Sequence, residues 1–163
     1  MTFPSASLGK FFIPRKLTPR LAALARISLF AELSPAELAI VDGLLHRREY
    51  LAGEVVFDEG EEGQAIYFVE AGEVELRRTT QGEAGRIARL GAGTFFGDMA
   101  LIDNLPRTAQ ARATQAARCT VFFREDFLGL MDTHARIASK IALRLAREMG
   151  RRLRLLQAGD DSA

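Results

Sequence analysis

Residues 96–109 read FGDMALIDNLPRTA. An acid, Asp98, directly precedes the helix-compatible run MALID, and Arg107 follows Pro106. The leading N–H groups of a helical turn have no intrahelical acceptor and, with the helix dipole, favour an anion. A guanidinium can grip a phosphate through two parallel hydrogen bonds. The proline fixes the backbone just before it. These residues together make a phosphate clamp with an acid beside it. A carboxylate gains nothing from a phosphate, so Asp98 calls for a neutral hydroxyl such as that of a ribose. The competing reading is that Asp98 caps the turn.

The flanking elements must position this cluster. Thr18 followed by Pro19 reads as a helix start in TPRLAALARI. Ser34, Pro35 and Glu37 repeat the signal with a capping-box spacing in SPAELAIVDGLL, whose apolar face is Leu38, Val41, Leu44 and Leu45. From Glu49 to Phe123 short β-branched and aromatic runs alternate with glycines, the pattern of an antiparallel sandwich or barrel. VEAGEV and RLGAGTF read as turns there. From Arg124 the chain turns helical. Ile137, Ile141, Leu145, Met149, Leu153 and Leu156 form one stripe, with Arg136, Lys140, Arg144, Arg147, Arg151 and Arg154 beside it. The fold class expected is α+β, an antiparallel, jelly-roll-like β-roll flanked by N-terminal helices and a long C-terminal helix. The division expected is an irregular arm over 1–17, helices over 18–48, the roll over 49–123, helices over 124–156 and a disordered tail over 157–163.

FGDMALIDNLPRTA resembles the phosphate-binding cassette of the cyclic nucleotide-binding domain. That module regulates catabolite-activator-type bacterial proteins, cyclic-nucleotide-gated channels and kinase regulatory subunits. The family pattern is Phe-Gly-Glu-(Leu/Met)-Ala-Leu, a short variable stretch, then Pro-Arg-(Ala/Ser/Thr)-Ala. The resemblance runs from about Leu29 to Leu156. It implies a ligand, cAMP or cGMP, and no cofactor. Arg107 would pair with the cyclic phosphate, and Gly97, Met99 and Ala100 would offer N–H groups. Asp98 would stand where the family's glutamate takes the ribose 2′-hydroxyl, one methylene short. Thr108 would offer a hydroxyl near the phosphate or purine. The C-terminal helix would close over the base, with Ser139, Lys140 and Arg144 as candidate lid residues. Relatives dimerise through this helix, which suggests a homodimer here.

The chain of 163 residues is 48% hydrophobic and 26% charged, enough for one buried core. A formal net charge of +1 gives no global field for nucleic acid. The basic terminal helix reads as a solvated face, and no recognition helix is found for a DNA groove. Cys119 is the sole cysteine, so no intrachain disulfide can form, and it reads as a small buried apolar residue. No apolar run approaches the roughly 18–20 residues of a membrane span, and no signal peptide is read, so a cytoplasmic protein is expected. His46 and His134 are far apart and outside the expected strands, which argues against a metal. No nucleophile–base pair is found, so an enzyme is not expected. The expected function is a stand-alone cyclic nucleotide sensor that signals through its C-terminal helix to an output protein. The alternatives are an interaction module with a degenerate pocket and, third, a DNA-binding regulator.

Overall fold

The computed structural model describes residues 17–78 and 85–160. The arm expected over 1–17 lies, apart from Leu17, outside the described residues. Helix α1 (Pro19–Ala25) starts where the Thr18 hydroxyl accepts from the Leu21 N–H. A 3-10 turn, Ser28–Phe30, joins it to α2 (Pro35–Asp42). In α2 the Ser34 hydroxyl accepts from the Glu37 N–H, and the Glu37 carboxylate accepts from the Ser34 N–H at 2.7 Å. This is the reciprocal cap the spacing announced.

Eight strands follow: β1 (Leu45–Tyr50), β2 (Val55–Phe57), β3 (Ala65–Ala71), β4 (Glu73–Arg78), β5 (Gly85–Gly91), β6 (Phe95–Phe96), β7 (Gln110–Ala113) and β8 (Ala117–Phe123). They pair antiparallel into two four-stranded sheets, β1-β8-β3-β6 and β2-β7-β4-β5. The first strand begins at Leu45, inside the stretch expected to be helical through 48. Its HRRE interior is exposed on both faces and lacks the alternation that marks a strand. Its register comes instead from β8, with His46 opposite Val121 and Arg48 opposite Cys119. A charged edge strand is also a defence against stray pairing. His46 therefore lies on a strand, not outside the roll. It faces Asp126 at 3.7 Å, and no metal-binding group of His, Cys, Asp or Glu exists among the described residues.

Between β3 and β4 the chain reverses at Gly72, whose φ is 81°. A Cβ there would stand 2.1 Å from the Ala116 carbonyl oxygen, so both space and backbone demand glycine. Helices α3 (Arg124–Thr133) and α4 (Ala135–Asp160) complete the described residues. The terminal helix thus continues past Leu156, through residues expected to be tail.

Two apolar cores result. Phe57, Val69, Val74, Phe96, Ala111, Ala113, Ala117 and Cys119 fill the space between the sheets. Cys119 is fully buried there, and burial pushes its thiol up to about 11. Phe30, Ile66, Phe68, Phe122, Ile141, Leu145 and their neighbours bind the helices to the outer face of the first sheet.

The basic stripe of α4 is largely taken up by the N-terminal helices. Lys140 donates to both Glu37 oxygens at 2.9 and 2.7 Å, Arg144 donates to the Ser28 carbonyl, and Arg147 meets Glu32 at 3.1 Å. The Lys140 ammonium, helped by the Ser34 N–H, holds the Glu37 carboxyl below its ordinary value. A carboxyl lowered in the folded state adds stability above its unfolded pKa, and that stability is lost as pH falls through the folded one. The wild type should therefore lose more stability than Glu37→Gln when acidified below about pH 4.5. Urea midpoints of both proteins at pH 7 and at pH 3 check this. Parallel acid limbs would show that the pair contributes nothing.

Candidate ligand-binding site

The strand β6 ends at Gly97, which holds φ at 74° and starts a 3-10 turn, Asp98–Leu101. A Cβ on Gly97 would meet Arg107 Nη1 at 2.6 Å and the Ala65 carbonyl at 3.1 Å, so this glycine lets the arginine pass. Ala100 and Leu101 are buried and anchor the turn, while Met99 is exposed. The return leg is clamped to the 60–63 turn. Arg107 N–H donates to the Glu61 carbonyl at 2.7 Å, and Gly60 N–H donates to the Arg107 carbonyl at 2.9 Å. Pro106 bridges to Glu62.

These segments enclose a cavity of about 240 Å³ lined by Gly97, Asp98, Met99, Ala100, Arg107 and Thr108. Phe57 and Leu76 add apolar wall, and Arg152 enters from α4. The six cassette residues singled out in the sequence thus share one cavity.

Arg107 is only 9% exposed. Its Nη2 donates to the Ala65 carbonyl at 2.8 Å and Nη1 to the Gly97 carbonyl at 3.2 Å. The guanidinium lies 4.0 Å from the Phe57 ring centroid and 5.8 Å from that of Tyr67. Its buried Nε has no hydrogen-bond partner. Burial holds its pKa below the ordinary arginine value. Its guanidinium is held by the Ala65 and Gly97 carbonyls rather than by a carboxylate. The Glu61 and Asp98 charges offset this burial only in part, and an anion seated on the guanidinium would offset more of it.

Asp98 is 6% exposed. Its side chain makes no capping hydrogen bond, because Gly97 holds the cap position and the carboxylate turns into the cavity. There Oδ2 accepts from Arg152 Nη1 at 2.8 Å. The Ala100 N–H is already donated to the Gly97 carbonyl at 3.2 Å, so it is spoken for in this state. The leading N–H groups of a 3-10 turn stay unpaired within the turn, which leaves those of Asp98 and Met99. Thr108 is exposed in the turn before β7. Phe96 packs flat on Tyr67 with centroids 5.2 Å apart, in the inter-sheet core.

The three candidate lid residues do not reach the cavity. Ser139 donates to the Ala135 carbonyl of its own helix, and Lys140 and Arg144 face α2 and the Ser28–Phe30 turn. The α4 residue that does reach it is Arg152, which sequence reasoning missed. A signal existed. Arg152 lies seven positions after the buried Leu145 and three after Met149, so it continues the inward face. Lys140 and Arg144 each precede an inward residue and so turn aside.

The family model for the cyclic nucleotide-binding domain matches residues 47–134. The chain belongs to the cyclic nucleotide-binding domain family. A cyclic AMP receptor protein from Thermus thermophilus is 38% identical over 122 residues, 74% of this chain and 56% of that protein. A cAMP-dependent protein kinase regulatory subunit from Mycosarcoma maydis is 40% identical over 101 residues, 60% of this chain and 19% of that protein. The crystal structure of the Thermus thermophilus catabolite activator protein matches with a TM-score of 0.73 and 37% identity, over 82% of this chain and 62% of that one. The chain spans 56% or less of the length of these two curated relatives. The antiparallel roll with its long terminal helix is the architecture of this domain family, as the sequence led us to expect. No helix among the described residues is long and apolar enough to cross a membrane.

Proposed function

We propose that this cyclic nucleotide-binding domain senses cAMP or cGMP and passes the signal through α4 to a partner chain. The observation that carries this is Arg107, a buried guanidinium with an unpaired Nε and no carboxylate partner, lining the cavity that also holds a buried acid. The phosphate completes Arg107, and a ribose hydroxyl meets Asp98. Gly97, Met99 and Thr108 frame the rest. No step of this reading needs a nucleophile, a metal or a redox group. Leu143, Leu153 and Leu155 are exposed on α4, the surface a homodimer through this helix would cover.

A thermal-shift series with cAMP and cGMP tests the reading. At a ligand concentration 100-fold above Kd, the protein should gain about 2.7 kcal/mol. For a domain of this size that is a rise of roughly 5–10 °C in Tm. The nucleotide giving the larger rise names the preferred purine. A second reading, an interaction module with a disabled pocket, draws on the fact that Asp98 is already paired to Arg152. No rise with either nucleotide, in a protein that melts cooperatively, would favour it.

A further inference from the structure

Two buried side-chain nitrogens have no hydrogen-bond partner among the described residues, and both are arginine Nε atoms. One belongs to Arg107, in the cassette cavity. The other belongs to Arg124, the first residue of α3, and Arg124 lines a second cavity of about 600 Å³. This cavity lies behind the cassette. Gly63 lines both spaces, and a Cβ on it would stand 3.0 Å from the Ala100 Cβ and 3.2 Å from the Leu105 carbonyl oxygen. The chain at Gly63 is thus the wall between them. The remaining walls are tied down. Arg124 N–H donates to the Gln64 carbonyl at 2.8 Å, Glu62 bridges to Pro106, and His46 meets Phe123 edge-on with centroids 5.1 Å apart.

The lining carries both signs of charge. Arg124 is its cation, Glu62, Glu125 and Asp126 are its acids, and Gln64 and Asn104 are neutral amides. His46 faces Asp126 at 3.7 Å. A simple anion would meet Arg124 but also three carboxylates. A simple cation would suit the acids and leave the buried Nε without an acceptor, which is unfavourable for any buried donor. A molecule carrying both charges answers both sides. The planar guanidinium offers Nε–H and one Nη–H in parallel, the fork a carboxylate fits. Arg124 is only partly buried, and its long stem lets the head turn toward the cavity.

We infer that this cavity is a second ligand site, for a small zwitterion of the α-amino acid type. Its carboxylate takes the Arg124 fork beside the Gln64 and Asn104 amides. Its ammonium faces Glu62, Glu125 and Asp126. Three acids against one arginine favour an amino acid with a second positive charge, such as lysine. The site does not depend on what the cassette cavity binds.

The test is titration of the isotope-labelled full chain with L-lysine, followed through backbone amide NMR shifts, with acetate and spermidine as probes of one sign each. L-Lysine should shift the amides of Gln64, Asn104, Arg124 and Leu128 saturably, and more tightly than either probe. Arg124→Gln should weaken L-lysine about tenfold or more, the worth of a charge-assisted hydrogen bond. Asn104→Leu changes an exposed position with little risk to folding and should weaken it about threefold. Arg107→Ala, in the other cavity, should bind L-lysine as the wild type does. Acetate or spermidine binding there as tightly as L-lysine would overturn the zwitterion and leave a plain ion site. The absence of saturable shifts at these amides, or L-lysine affinity unchanged in both Arg124→Gln and Asn104→Leu, would overturn the site itself.

Discussion

Replacing Arg107 with alanine is expected to weaken cyclic-nucleotide binding by about 2–5 kcal/mol, roughly thirtyfold to several-thousandfold. The magnitude follows from burial. Arg107 is 9% exposed, and its pKa is held down by desolvation, so its charge is already stripped of water before a ligand arrives. A phosphate meeting this group gains a charge-assisted hydrogen bond without first dehydrating the cation. Without the guanidinium, the phosphate is desolvated against Phe57 and Leu76 with no counter-charge. The fold should survive the change. Arg107 contributes two hydrogen bonds to carbonyls and a stacking contact with Phe57, but no ion pair on which the sheets depend. Arg107→Lys keeps the charge but lacks the planar fork that meets the Ala65 and Gly97 carbonyls from separate nitrogens, so it should recover only part of the affinity. Calorimetric titration measures the affinities and a denaturation scan of the empty proteins controls for folding. An Arg107→Ala protein that binds as tightly as wild type would remove Arg107 from the site.

How much of this was legible in the residues depends on the range over which each feature is determined. The caps at Thr18 and Ser34 are local, satisfied within three residues, and the structure places them where the spacing did. The cassette is also local: Gly97, Asp98 and Arg107 come together through a short loop. Asp98 shows the limit. Its sequence position suits a cap, but the left-handed Gly97 takes the cap site and swings the carboxylate inward. The partners of Asp98 and Arg107 come from afar. Phe57 and Tyr67 sit on strands whose pairing no local pattern reports. Arg152 was passed over beside the basic stripe, although its spacing from Leu145 and Met149 puts it on the inward face, because the acid it meets lies 54 positions earlier. Strand β1 was missed for a related reason. An edge strand exposed on both faces carries no alternation, and only β8 reveals it.

The second large effect lies in α4 itself, and it separates the half of the helix that builds the core from the exposed half beyond it. Leu145→Ala is expected to cost about 2–5 kcal/mol of stability, the range for deleting a fully buried leucine side chain. Leu145 and Ile141 are both 0% exposed, in the core that joins α1, α2 and α3 to the first sheet. The cavity left by Leu145→Ala cannot collapse easily, because rings such as Phe30 and Phe68, 5.1 Å apart, fix its surroundings. Against a typical stability of about 5–15 kcal/mol such a loss is severe. Leu153→Ala, two turns further on and 60% exposed, should change the stability of the monomer by no more than about 0.5 kcal/mol. Urea unfolding at low protein concentration gives both numbers, with unchanged m-values as the sign that one two-state transition is being read. The contrast is what the proposed signalling through α4 requires. A helix docked along its whole length would transmit nothing without unfolding the core, and one docked nowhere would have no fixed position to leave. If Leu153→Ala proves as costly as Leu145→Ala, the end of α4 is packed rather than exposed, and the proposed signal would have to pass through the core.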